Sequence, residues 1–231
     1  MHPADKMAQI MEDFSKRSSE YDAEIARIVP NYERMLDVVV SSLPFRDEAE
    51  IKVVDLGTGT GMLAWRVKRR FPRCHLLCVD MTESMLAVAK ERFGPGHDVE
   101  YLTKDFYHLE LPPEQDAVVS SLALHHLITD EDKRDFYRKV QECLRPGGVF
   151  VNADAVLSSD EWMEELYMQR WQEFMAMSMK RSEIDAILER FRREDSLPHL
   201  LDQLRWLSEV GFSKVDVVWK DHMGAVVWAR R

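Results

Sequence analysis

The chain has 231 residues, 45% hydrophobic and 31% charged, which suits a globular α/β domain with a core of its own. Its formal net charge of −10 argues against a surface that grips nucleic-acid phosphates, because such footprints are basic. No apolar run approaches the roughly 20 residues that cross a bilayer, and the opening Met-His-Pro-Ala-Asp-Lys lacks the apolar stretch of a secretory leader, so a cytoplasmic location is expected.

Residues 1–48 read as a helical preface, with helices over 4–18, near 21–28 and, after Pro30, over 31–42. Residues 49–157 alternate strand and helix. Ile51-Lys-Val-Val-Asp55 is a β-branched run ending in an acid, and Gly57, Gly59 and Gly61 follow it. That pattern is a buried parallel strand and a tight turn into a helix, where glycine frees the backbone and lets a ligand approach. A dinucleotide turn of the form G-x-G-x-x-G would need its last glycine where Met62 stands, so pyrophosphate binding is disfavoured.

Cys74-His-Leu-Leu-Cys-Val-Asp80 is a second buried strand ending in an acid. A nucleoside-binding α/β fold grips ribose hydroxyls at this place, since one carboxylate accepts from both. The other reading of Asp80 is a helix N-cap or turn residue, although Thr82 is the better cap. A third strand over 99–102 precedes Asp105-Phe106, and an acid there also occurs as a solvated turn. Asp116-Ala-Val-Val-Ser-Ser-Leu-Ala-Leu-His-His-Leu is a fourth strand running into a loop and a helix, and Leu144-Arg-Pro-Gly-Gly-Val-Phe-Val turns into a fifth.

Residues 158–212 read as helical, and 213–220 with 224–231 as a closing hairpin around Asp221-His222-Met223, antiparallel because the link is so short. The insert over 160–193 is rich in methionine and tryptophan, an adaptable apolar surface. It lines an acceptor pocket, forms a homodimer contact, or packs on the core. Cys74 and Cys78 share a strand face with too few partners for a zinc site, so core packing and no metal are expected. The basic stretches at 66–73 and 190–193 read as solvated helix faces.

Taken in order, Asp55-x-Gly57-x-Gly59-x-Gly61, Asp80, Asp105-Phe106, the fourth strand and the Pro-Gly-Gly turn resemble the class I S-adenosylmethionine-dependent methyltransferases. The resemblance implies a doubly wound, Rossmann-like α/β fold with a seven-stranded mixed sheet. It also implies one methyltransferase domain over 1–231, with the N-terminal helices and the insert as additions. The cofactor would be S-adenosyl-L-methionine, cradled by Gly57, Thr58, Gly59 and Gly61 and contacted by Asp55, Asp80, Met81 and Ser121. Asp105 would receive the adenine amino group and Phe106 would cover the ring.

Methyl transfer from a sulfonium is an in-line displacement on an activated carbon, so the enzyme mainly aligns the acceptor and excludes water. His125 and His126 are the candidates for a base, because they border the methyl group and histidine titrates near neutrality. Being adjacent, they are not expected both to face the site. Asp154 is a fainter candidate for acceptor contact. A small-molecule acceptor is expected beneath the preface and the insert, with Trp162, Trp171 and Met175 as apolar walls.

A closer resemblance lies in Phe14-Ser-Lys-Arg, Tyr21-Asp, Ile28-Val-Pro-Asn-Tyr32, Asp195-Ser and Gly211-Phe212. These look like carboxy-S-adenosylmethionine synthase and related small methyltransferases. That similarity places Tyr32 at the cofactor's methionyl carboxylate, its alternative being a packed aromatic at a helix start. The synthase needs an arginine for the extra carboxylate of its product, and Arg181 looks similar to it. Leu-Ala-Leu-His-His-Leu looks more like ordinary methyl-transferring relatives. The expected function is therefore methyl transfer to a small molecule, the alternatives being carboxylated-cofactor synthesis, tRNA modification or a non-catalytic cofactor-binding scaffold.

Overall fold

A computed structural model describes residues 3–18 and 20–231. Met1 and His2, which open the stretch read against a leader, lie outside the described residues. The preface forms α1 (Pro3–Arg17), α2 (Tyr21–Ile28) and α3 (Tyr32–Ser41). Then β1 (Lys52–Leu56), α4 (Met62–Arg70), β2 (His75–Asp80), α5 (Glu83–Phe93) and β3 (Val99–Thr103) alternate. After β4 (Gln115–Ser121) and a single 3₁₀ turn (Leu124–His126) come α6 (Asp130–Cys143) and β5 (Leu144–Ala155). The chain closes with α7 (Glu161–Ala176), α8 (Arg181–Glu194), α9 (Leu200–Glu209), β6 (Lys214–Asp221) and β7 (Gly224–Arg230).

The described strands form one seven-stranded sheet in the order β3-β2-β1-β4-β5-β7-β6. β1 pairs parallel with β2 and β4, while β7 runs antiparallel to both β5 and β6. One reversed strand in an otherwise parallel set agrees with the expected doubly wound mixed sheet. Strand order reverses between β1 and β4, which opens a crevice beyond the carboxyl ends of these strands, the usual ligand position in such sheets. Among the described residues no helix is long and apolar enough to cross a membrane.

Alternation along the strands separates two cores. Val53, Val119 and Val151 face one side with Leu36 and Val39 of α3 and Val67 of α4. Val54, Val118 and Phe150 face the other with Phe136 and Tyr137 of α6 and Trp206 of α9. Cys74 and Cys78 are buried in the first core, as expected from their spacing. A third cluster joins Ile28, Trp171, Met175, Ile187 and Met223, so the insert packs on the preface and the hairpin turn. Trp171 Nε1 donates to the Ile28 carbonyl at 2.7 Å and fixes that junction.

Two details differ from the sequence reading. The Pro-Gly-Gly segment lies inside the span of β5, and the β4–β5 register passes from Gln115↔Leu144 to Ala117↔Val149 around it. Thr82 occupies the N-cap position of α5 but makes no side-chain cap bond. Its backbone N–H donates instead to Asp80 Oδ1 at 2.8 Å, so Asp80 does the turn-closing work.

Candidate functional site

The crevice at the strand ends holds a first cavity lined by Tyr32, Asp55, Gly57, Thr58, Gly59, Asp80, Met81, Asp105, Phe106 and Ser121. The chain makes the turn after β1 in the left-handed region, with Gly57 at φ 67° and Gly59 at φ 55°. A Cβ on Gly57 would stand 2.2 Å from the Ala123 Cβ, so the loop after β4 presses directly on this turn. Around Gly59 the nearest atom to such a Cβ is the Gly57 carbonyl at 4.0 Å, which leaves the cavity side open.

Gly61 belongs elsewhere. A Cβ there would meet Ala89 of α5 at 3.0 Å, and Gly61 is absent from the cavity wall. Its missing Cβ lets α4 pack closely against α5.

Asp80 accepts from the Gly59 N–H through Oδ2 and from the Thr82 N–H through Oδ1, both at 2.8 Å. Each oxygen keeps a lone pair, so the carboxylate both builds the turn and remains able to accept from a ligand. Asp55 is 1% exposed, and its Oδ2 is buried with no hydrogen-bond partner among the described residues. Burial, and then the neighbouring Asp80 charge, push the Asp55 carboxyl up to about 7. Burial also raises Asp80. Two raised carboxyls and an unpaired buried oxygen beside one cavity mark it as a candidate site. The buried Ser121 Oγ also lacks a partner among the described residues.

Asp105 lines the cavity, yet its Oδ1 accepts from the Tyr107 N–H at 2.9 Å and the His108 N–H at 3.1 Å. Burial would raise this carboxyl, but the His108 side chain and the turn N–H groups outweigh it and lower the value. Part of Asp105 is therefore a turn residue. Tyr32 is buried beside Asp55, and burial drives its hydroxyl far above the ordinary value.

A second cavity of about 370 Å³ lies against the first, which offers only about 70 Å³. The two share Phe14, Tyr21, Leu122 and His126 as a common wall. Phe14 stands edge-on to His126 with centroids 5.5 Å apart, and near Tyr21 at 6.0 Å. These two rings narrow the first cavity where it meets the second. Leu122 holds φ 52°, costly for a branched side chain and characteristic of functional loops.

His125 and His126 both line the second cavity. The expectation that adjacent residues would not both face the site is not met by this cavity: both rings reach it, 4.1 Å apart, from one 3₁₀ turn. Asp154 at the end of β5 holds His125 through Nδ1 at 2.5 Å and accepts from the His125 N–H at 3.1 Å. Burial would lower the His125 value, but Asp154 and Asp195 outweigh it and raise it to about 10. Burial, and then the His125 charge, lower His126 to about 3.

Asp195 follows α8 and reaches this pair because Ser196 is tied to the same loop. The Ser196 N–H donates to the His125 carbonyl at 3.0 Å, and its hydroxyl donates to the Ile128 carbonyl at 2.6 Å. Burial would raise the Asp195 carboxyl, but His125 outweighs it and lowers the value.

Trp171 supplies an apolar wall as expected, but the rest of that wall differs. Trp162 is 66% exposed on the outer surface, and Met175 lies wholly in the core behind the cavity. The walls are instead Ile25, Ile28, Phe174, Ile187, Phe191 and Met223. Arg181 is outside both cavities, with its side chain 72% exposed and paired to Asp185. The arginines at the second cavity are Arg17, Arg170 and Arg190, and Glu24 pairs with both Arg17 and Arg190. The sequence signal for these was weak, since Arg190 sits in a basic stretch read as a solvated face.

Residues 53–148 match the family model described as a methyltransferase domain. Over 94% of the chain it is 22% identical to carboxy-S-adenosyl-L-methionine synthase of Nautilia profundicola, covering 92% of that protein. Over 62% of the chain it is 32% identical to malonyl-[acyl-carrier protein] O-methyltransferase of a Marinomonas species, of whose length it spans only 50%. Among solved structures, a chain in the complex between the Haloferax volcanii Trm112 methyltransferase activator and the putative methyltransferase is similar with a TM-score of 0.67. That likeness covers 94% of this chain and 96% of that one at 15% identity, which speaks for the fold alone.

Proposed function

We propose that this chain, which belongs to the class I S-adenosylmethionine-dependent methyltransferases, transfers a methyl group to a small-molecule acceptor held in the second cavity. The supporting observation is the shared wall: two cavities meet at Phe14, Tyr21, Leu122 and His126, one with a nucleoside-type donor set and one largely apolar. When bound, the cofactor supplies an activated methyl: the acceptor's lone pair forms the new bond to carbon, and the old S–C pair stays on sulfur as a neutral thioether.

Everything else falls to the protein. Asp80 would accept from ribose hydroxyls, and the orphaned oxygen of Asp55 would accept from the ligand's ammonium group. Phe106 and Met81 would flank the adenine, with Asp105, Tyr32, Thr58 and Ser121 as further polar contacts and Gly57 and Gly59 as the open backbone. Phe14 and Tyr21 exclude water between the cavities, which strengthens every electrostatic contact inside. His126 presents an unpartnered Nδ1 at the junction among the described residues. The preface, cofactor half, insert and hairpin act as one unit in this reading, because the second cavity takes walls from all of them.

The acceptor has an apolar body and a polar end, matching the aromatic and aliphatic walls and the arginine and histidine side chains. Arg181 lines neither cavity, so it offers no support for synthesis of a carboxylated cofactor. The deciding experiment incubates the protein with methyl-labelled S-adenosylmethionine and either a small-metabolite extract or total tRNA. Label is expected in a small product. Label in tRNA with none in the metabolites overturns the reading.

A further inference from the structure

Three side chains of the second cavity, His126 among them at the wall it shares with the first, are spaced like ligands around one ion. His125 Nε2 lies 3.5 Å from Asp195 Oδ1, and His126 Nδ1 lies 3.7 Å from the same oxygen. One donor atom from each of the three lies within 4.8 Å of the other two. Both measured separations are longer than a good hydrogen bond, so the two rings pair with the carboxylate only at long range. Around an ion with bonds of about 2.0–2.2 Å, neighbouring ligand atoms stand roughly 3.0–3.6 Å apart. Small side-chain shifts close the set.

Two further observations point the same way. His126 is only 7% exposed, and its Nδ1 is buried without a partner among the described residues, a costly state for a polar atom. His125 is held from behind: Asp154 takes its Nδ1 and is itself fixed by the His125 and Ala155 N–H groups, at 3.1 and 2.9 Å. A carboxylate on the far ring nitrogen is the usual outer support of a metal-binding histidine, because it sets ring orientation and raises basicity. Ser196 ties Asp195 to the same loop, so the three groups are positioned together.

We propose that His125, His126 and Asp195 bind one first-row divalent cation, which faces the second cavity and takes a hydroxyl oxygen of the acceptor as a further ligand. Two imidazoles with one carboxylate suit Zn²⁺, Fe²⁺ or Mn²⁺ better than Mg²⁺ or Ca²⁺, which prefer oxygen donors. Three protein ligands leave a position open, as catalytic sites require. The ion lowers the pKa of the bound hydroxyl, whose proton leaves to solvent, and the freed oxygen lone pair is the one that forms the new bond to carbon. The acceptor's part in this rests on the methyl-transfer reading above. The binding of the ion does not.

The test uses the full chain after chelator treatment and dialysis, titrated with Zn²⁺ by calorimetry and with Co²⁺ by visible absorption. One equivalent of Zn²⁺ binds, and Co²⁺ gives the d–d bands of a protein-ligated site. Asp195→Asn and His126→Gln each abolish saturable binding, while Asp154→Asn weakens it about 10- to 100-fold through the loosened ring. His75→Gln, which alters an exposed histidine paired with Asp98 on the far side of the sheet domain, changes nothing. Circular dichroism confirms that each variant is folded, and the conservative His126→Gln keeps the test alive if another is not. Absence of saturable binding, or binding unchanged in Asp195→Asn, overturns the proposal. If labelled methyl transfer persists in that case, the function stands without the ion.

Discussion

Beside Phe14, Tyr21 and Tyr32 of the preface, the polar walls of the first cavity cluster at strand ends: Asp55 near the end of β1 and Gly57 just after it, Asp80 ending β2 and Met81 following, Ser121 ending β4. The second cavity takes Ile28 from α2, His125 from the turn after β4, Trp171 from α7, Ile187 from α8 and Met223 from the hairpin. Sheet register fixes the first set, and a change there strikes fold and ligand together. Side-chain packing between separate helices fixes the second, so a change there can leave the sheet untouched.

Gly57 is the sharpest place to press on this contrast. Gly57→Ala must fit a Cβ against Ala123 and hold a left-handed backbone, about 2–5 kcal/mol together. Gly59→Ala has open space and carries only the conformational cost, about 1–2 kcal/mol. Urea unfolding measures both. Equal losses would show that loop contact does not shape the turn.

Asp55 separates binding from stability. The folded protein releases its proton near pH 7, whereas the unfolded chain does so near 3.8. Between these values the folded state holds an extra proton, so stability falls as pH rises through the window, by at most about 4 kcal/mol. Asp80, raised in the same direction, adds to the trend. Asp55→Asn is therefore expected to melt higher than the parent at pH 8, with the advantage shrinking toward pH 5, while its affinity for S-adenosylmethionine drops. A variant that is less stable at pH 8 would show that the buried carboxylate is satisfied after all.

The sequence made the first cavity legible and left most of the second hidden, for a physical reason. Asp55, the glycines and Asp80 report on local chain geometry, and a motif records local geometry well. Even so, a glycine signals a missing Cβ without saying what fills the space. Gly57 meets Ala123, Gly59 opens on the cavity, and Gly61 meets Ala89, three outcomes from one repeated letter. The His125–His126 pair was visible, but not that both rings would reach the same cavity. Asp195 appeared in the resemblance, yet nothing in its neighbourhood tells that Ser196 ties it to the histidine loop. Trp162 and Trp171 look alike in the apolar pattern of the insert, and helix phase alone separates the exposed ring from the buried one.

Trp171→Phe tests the second region more gently. The ring survives in smaller form, but the Ile28 carbonyl loses its 2.7 Å donor. A buried acceptor left unpaired costs about 1–3 kcal/mol, and the junction between α2 and α7 loosens. Calorimetry should find the affinity for S-adenosylmethionine unchanged, because the ring does not line the first cavity. The acceptor KM should rise. Equal damage to both affinities would mean that the two cavities are one cooperative site.

The smallest effect is expected at Arg181, and it bears on which acceptor chemistry the fold serves. The side chain is 72% exposed and paired with Asp185 one turn along α8. Exposed i,i+4 pairs contribute about 0.3–0.5 kcal/mol. Arg181→Ala should therefore shift stability by no more than about 0.5 kcal/mol and leave binding of ordinary S-adenosylmethionine unchanged. If the chain made or used a carboxylated cofactor through this arginine, the variant would lose that ligand selectively, since a buried carboxylate without its bidentate partner is strongly disfavoured. Parallel titrations of both cofactors against parent and variant read this directly. A selective loss would mean that α8 swings inward on binding and that its outward-facing arginine belongs to the site.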